Sequence, residues 1–290
     1  PADQSVSRSS VGPLINTRQP ELIGAVTADG NSMYFSRKND AGDYDIWRAT
    51  RNASNEWAHQ ERLLGTINSS GNDHLLSITK DGELALVTDG GPTMKLIRCD
   101  RGTWGPSERV VIPGYYNRDP AESACMSPDG RSILISALRD DSYGGHDLYI
   151  SRRKPDGTWS ELQNLGPTVN THGDEFGPFI ASDGVTLYFS STGRVGYGDA
   201  DLFVTRSEID LQTWTEPANL GPEINTAGFD AYIAVPADPR TAYITRGDKA
   251  RMDADIECVT LPVAIRPIID TKLIVVAVGP DGTELTDAII

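Results

Sequence analysis

The chain has 290 residues, 38% of them hydrophobic and 23% charged, and a formal net charge of −15 at neutral pH. No run approaches the ~18 consecutive apolar residues of a membrane-spanning helix, which excludes direct insertion by that route. Binding to nucleic acid or to anionic lipid head groups needs clustered Lys and Arg, and an acidic balance argues against both.

Pro1-Ala2-Asp3 opens the chain with no secretory signal, as a processed or trimmed end would. From there the sequence repeats itself, with a unit of roughly 50 residues. Asp-Gly turns recur at Asp29, Asp81, Asp129 and Asp183, with a weaker fifth copy at Asp238-Pro239. The steps between these aspartates are 52, 48, 54 and 55 residues. Trp57, Trp104, Trp159 and Trp214 follow the first four turns with nearly the same period. A third marker is a Gly-Pro-x-Ile-Asn-Thr joint, seen at Gly12 to Thr17, Gly65 to Ser69, Gly166 to Thr171 and Gly221 to Thr226. It is degenerate around Pro113 to Asn117.

Within a unit every apolar run has strand length. In the fourth, Phe176 to Ile180 leads into the Ser182-Asp183-Gly184 turn, where Gly tolerates positive φ and Asp bonds its own backbone. Val185 to Ser190 is β-branched and aromatic. A glycine-rich loop from Thr192 to Gly198 precedes Asp201 to Thr205, and Thr213 to Pro217 completes the unit. Four strands per repeat without helical periodicity predict an all-β, five-bladed propeller of four-stranded antiparallel blades. The expected blades are 13–65, 66–112, 113–166, 167–221 and 222–260. The fifth unit lacks its tryptophan segment, so residues 4–12, with Gln4 to Val11 as the strand, are expected to supply its outer edge and close the ring. A short strand-forming tail follows.

Glu175 to Ser191, with Gly198 to Phe203 and Trp159 to Gly166, resembles the WD40-like PD40 repeat of TolB-related propellers in bacterial envelope proteins. The likeness spans residues 10–260 and is sharpest in units three and four. Unit two lacks the Gly-Gly-x-Asp loop, and unit five has Pro239 where Gly is usual. Leu261 to Pro267, Thr271 to Val278 and Gly279 to Leu285 are similar to the linker and first strands of a carboxypeptidase-regulatory-like sandwich. The expected division is therefore a propeller over 1–262 and an incomplete sandwich over 263–290, the chain being part of a longer protein. In Bacteroidetes-type envelope proteins such a sandwich precedes an OmpA-like peptidoglycan-binding domain, in one case within the type IX secretion and gliding machinery. The resemblance implies a periplasmic, outer-membrane-associated scaffold that binds envelope proteins and reaches peptidoglycan only through a domain outside this chain.

Propeller glycosidases place carboxylates around the central channel, and this sequence sets one near the start of each expected inner strand: Glu21, Asp73, Glu122, Glu175 and Asp230. A catalytic set is asymmetric, because its members need different pKa values. One acid recurring at one repeat position is explained more simply by a structural or capping role. A channel site for a ligand or cation is the second reading, and a carbohydrate-active propeller the third. Asp45, Asp147, Asp201 and Asp255 form another recurrent set, expected to cap the preceding loop, with a cation as the alternative encouraged by Asp199 and Asp253. No complete calcium loop, HExxH or GxSxG pattern occurs, and His59, His74, His146 and His172 form no ligand pair. Cys99, Cys125 and Cys258 make neither a zinc site nor a disulfide framework. No catalytic residue, metal or cofactor is expected.

Overall fold

The computed structural model describes residues 6–90, 93–119, 123–248 and 253–268. Strand β1 (Arg8–Ser10) precedes the first blade. Blade 1 holds β2 (Glu21–Val26), β3 (Ser32–Lys38), β4 (Tyr44–Arg51) and β5 (Trp57–Arg62). Blade 2 holds β6 (His74–Ile78), β7 (Leu84–Thr88), β8 (Met94–Asp100) and β9 (Thr103–Arg109). Blade 3 holds β10 (Ser123–Met126), β11 (Ser132–Ala137), β12 (Asp147–Arg152) and β13 (Gln163–Asn164). Blade 4 holds β14 (Glu175–Ile180), β15 (Thr186–Ser191) and β16 (Asp201–Ile209), its outer edge divided between β17 (Thr213–Trp214) and β18 (Ala218–Asn219). Blade 5 holds β19 (Phe229–Ala234), β20 (Thr241–Asp248) and β21 (Asp253–Thr260), and takes β1 as its outer strand.

The inner strands β2, β6, β10, β14 and β19 meet in cyclic order, and β19 meets β2. The protein is a closed five-bladed β-propeller. Closure uses the leading segment: Arg8, Ser9 and Ser10 pair with Val259, Cys258 and Glu257. The Thr260 amide adds a bond to the Ser7 carbonyl at 3.0 Å. The clasp strand is shorter than the Gln4-to-Val11 segment expected, and Gln4 lies outside the described residues.

Each blade packs between two others, so its second strand is covered on both faces; β7, β11 and β15 are buried along their whole length. The recurrent tryptophans fill the junctions. Trp57 meets Tyr243 of blade 5 edge-on at 5.9 Å, and Trp104 meets Tyr34 of blade 1 in the same way at 5.9 Å. Trp159 and Trp214 are buried in clusters shared with blades 2 and 3. The Asp-Gly turns close because Gly30, Gly82, Gly130 and Gly184 adopt φ between 70° and 76°, where a side chain is disfavoured.

The joint asparagines act as surrogate strand partners. Asn170 accepts from the Leu148 amide at 2.8 Å and donates to the Leu148 carbonyl at 3.0 Å. Asn68 does the same to Ile46, Asn225 to Leu202 and Asn16 to Ile256. Each locks the third strand of one blade to the loop that leads into the next. Asn170→Ala orphans two buried backbone groups and is expected to cost about 2–3 kcal/mol in urea denaturation. An unchanged midpoint would refute the clamp.

After blade 5 the chain runs back over blade 4 as a short 3₁₀ turn, Val263–Ile265. The Tyr188 hydroxyl donates to the Ile265 carbonyl, and Arg206 donates to the Ala264 and Arg266 carbonyls at 3.1 and 2.9 Å. The Ile268 amide reaches Asp183 at 2.7 Å. The strand-forming tail expected over Thr271 to Val278 lies outside the described residues.

Candidate functional site

The recurrent inner carboxylates look back at their own joints. Glu21, Glu175 and Asp230 are fully buried and Asp73 is nearly so. Each accepts from the backbone amide and hydroxyl of the residue four positions earlier: Thr17, Ser69, Thr171 and Thr226. The second contact comes from the partner strand sixteen residues on. Arg37 meets Glu21 at 2.9 Å, Arg246 meets Asp230 at 2.8 Å, and the Ser191 hydroxyl meets Glu175 at 2.6 Å. Burial pushes the Glu175 and Asp73 carboxyls above their ordinary range, against the pull of those hydroxyl and amide donors. Glu122 lies outside the described residues.

The second set sits at the start of the third strands. Asp147 and Asp201 accept from the Tyr143 and Tyr197 amides four residues before them, and Asp147 also from Asn164 at 2.7 Å. Asp45 accepts from Asn39 at 3.2 Å and pairs with Arg62 at 2.7 Å. That pairing holds its carboxyl below the usual range, whereas burial pushes Asp255 up. Among the described residues no group of three His, Cys, Asp or Glu side chains converges as a metal site would require. Cys125 is buried, and burial raises its thiol to about 12, the state of an inert thiol.

The open space on the propeller axis lies elsewhere. A cavity of about 130 Å³ opens between the inner strands. Four of those strands bulge at its level: the register breaks between Ile23 and Ala25, Leu75 and Ser77, Phe176 and Phe179, and Ala231 and Ile233. The bulge residues Gly24, Leu76, Pro178 and Tyr232 line it, with His74 and Phe179. Tyr232 holds φ at 51° and faces Gly177, whose missing Cβ would come within 3.2 Å of the tyrosine ring. None of Glu21, Asp73, Glu175 and Asp230 lines this cavity. The His74 ring packs 5.0 Å from Tyr44, and burial depresses its pKa to about 4, so it is neutral at physiological pH. Sequence reading passes over His74 and Tyr232, because neither belongs to a motif.

At the end of the ring that carries the joints, three loops interlock. The Gly145 amide bonds the Gly173 carbonyl at 3.1 Å, and the Asp174 amide bonds the Thr192 hydroxyl at 2.8 Å. Gly144 and Gly193 lie so close to His172 and Thr171 that a Cβ at either position would collide. These loops expose Tyr143, Val195 (97%) and Tyr197, and Tyr116 is exposed on the neighbouring joint under Arg139. His172 is exposed on the middle loop.

No protein-family model and no curated protein matches the chain. Solved structures do. A candidate TolB from Agrobacterium tumefaciens is 18% identical, over 84% of this chain and 78% of its own, with a TM-score of 0.51. An α-L-arabinofuranosidase from Lactobacillus brevis is 12% identical over 95% of both chains, with a TM-score of 0.49. An oligogalacturonate lyase from Vibrio parahaemolyticus is 9% identical over 91% of this chain and 96% of its own, with a TM-score of 0.45. The likeness is one of fold. It shows a β-propeller architecture and carries no activity with it.

Proposed function

We propose that this propeller is a non-enzymatic docking platform whose joint-bearing end binds another protein. The observation that carries the reading is the exposed set Tyr143, Val195 and Tyr197 on loops bonded to one another. Tyrosine supplies large contact area at little entropic cost, and rigid presentation lowers the cost of binding further. The buried carboxylates support the same view. A glycosidase needs two carboxyl groups flanking one sugar bond, and here Glu21, Asp73, Glu175 and Asp230 are each occupied by their own joint. The PD40-like repeats support a periplasmic, outer-membrane-associated setting, with an envelope protein as partner and peptidoglycan reached through an OmpA-like domain elsewhere in the full protein.

The test is the triple variant Tyr143→Ser, Val195→Ser and Tyr197→Ser, used as immobilised bait against envelope extract of the source organism. Exposed substitutions of this kind shift stability by only about 0.5 kcal/mol. Binding to the partner that wild type retains should fall at least tenfold, roughly the loss expected on removing interface anchors. Ile209→Ser, at the opposite end, should bind as wild type. Equal capture by the triple variant, or cleavage of a glycan panel by the wild type, would overturn the reading.

A further inference from the structure

The axial cavity plays no part in docking at the loop end, and its construction is too regular for a packing fault. Four inner strands swerve at one level, and all four bulges contribute to its wall. Bulges next to functional sites re-aim side chains, and a non-glycine residue at positive φ costs of order 1–3 kcal/mol, as at Tyr232. Blade 3 completes the wall with the small residues Ser123 and Ala124.

Size, polarity and charge together define what fits. A cavity of ~150 Å³ lined by apolar side chains holds benzene, and this one is about 130 Å³. Its described lining includes no Asp, Glu, Lys or Arg, so an ion entering it would find no counter-charge among the described lining residues. Two polar groups on the wall, the imidazole of His74 and the hydroxyl of Tyr232, make no side-chain hydrogen bond to a described residue, and both side chains are only partly buried. Phe176 holds the Tyr232 ring at 6.2 Å in a T-shaped contact, and Tyr44 holds His74. Both are oriented by neighbours that leave their polar atoms unused.

We propose that the axial cavity is a binding site for an uncharged single-ring molecule whose polar substituent pairs with His74 and Tyr232. Aromatic and apolar walls accept the ring, and the imidazole and phenol exchange a donor and an acceptor with one hydroxyl or amine. Carboxylated rings are excluded by the uncompensated charge.

Phenol is the probe, titrated into the full chain at pH 7. The carbon-bound imidazole proton of His74, assigned as the resonance missing from His74→Phe, should shift saturably, with His59 and His172 unmoved. Benzoate should leave it in place. In His74→Phe, followed through the Tyr232 ring protons, phenol should bind about tenfold more weakly while benzene binds as in wild type, the loss of one hydrogen bond worth ~1.4 kcal/mol. Ala124→Leu, which fills the cavity from blade 3, should abolish both, and a native amide spectrum would verify that this variant folds. If phenol moves no His74 resonance up to millimolar concentration, or if benzoate competes equally, the site does not exist as described. A wild-type spectrum in which phenol moves none of the imidazole resonances up to millimolar concentration overturns the proposal without any variant, so a misfolded variant cannot mask that result.

Discussion

Glu21→Ala is expected to destabilise the propeller by about 3–5 kcal/mol, the cost of leaving a buried charge without its partner. Glu21 is fully buried, and Arg37, whose side chain is 9% exposed, reaches it at 2.9 Å. Arg37 is fixed by more than the pair. It donates to the Leu14 and Ile15 carbonyls at 3.1 and 2.7 Å and lies over the Trp47 ring at 4.6 Å. It therefore cannot swing out to water when the carboxylate is removed. The Thr17 amide and hydroxyl lose their acceptor at the same time. In a domain of this size the melting point should fall by roughly 10 °C. Glu175→Ala, with hydroxyl and amide partners and no cation, should cost less, about 2–3 kcal/mol. The double variant Glu21→Ala/Arg37→Met should recover part of the loss, giving a coupling of about 2 kcal/mol in a double-mutant cycle. The ranking bears on function as well as on stability. A carboxylate held in place for a ligand or for chemistry is commonly strained, and removing it tends to leave stability unchanged or improved. A neutral or stabilising Glu21→Ala would overturn the structural reading and favour a channel site for a ligand or cation instead.

The ring is legible in the sequence because each marker records a contact that every blade must make. The Asp-Gly turns need positive φ at Gly30, Gly82, Gly130 and Gly184; the tryptophans plug one junction each; the closing strand is needed because unit five lacks its own. Partner identity is harder to read, since it is non-local. The joint asparagine is visible as a repeat, but its target lies 22 residues upstream, Leu148 for Asn170 and Ile46 for Asn68. The likeness of Glu21, Asp73, Glu175 and Asp230 was equally visible, and only geometry turns them toward Thr17, Ser69, Thr171 and Thr226. The cavity is hidden altogether. A bulge adds one unpaired residue to a strand of five or six, as Leu76 does between Leu75 and Ser77, and a short apolar run reads alike with it or without it. His74 belongs to no motif, and only closure of the ring shows what surrounds it.

Closure around His74 has a measurable consequence in acid. The unfolded histidine titrates near 6.5, and the folded one near 4, because burial disfavours the imidazolium. Above pH 6.5 both states are neutral and the group is silent. Between 6.5 and 4 the unfolded chain takes up a proton that the folded chain refuses, so stability falls as pH falls. The gap between the two values corresponds to roughly 3 kcal/mol, fully lost once pH has dropped to about 4. Glu175 and Asp73 act in the opposite sense: burial raises their carboxyls, so the folded state binds protons more readily and gains stability as pH falls through those raised values. The wild-type curve alone therefore mixes the two. The difference between wild type and His74→Phe isolates the histidine, since the carboxylates remain in both. Urea denaturation at pH 7 and at pH 4 should show the variant gaining roughly 3 kcal/mol relative to wild type on acidification. A difference that stays constant across that range, or an imidazole resonance titrating near 6.5 in the folded protein, would mean that water reaches His74 freely and that the axis is open there.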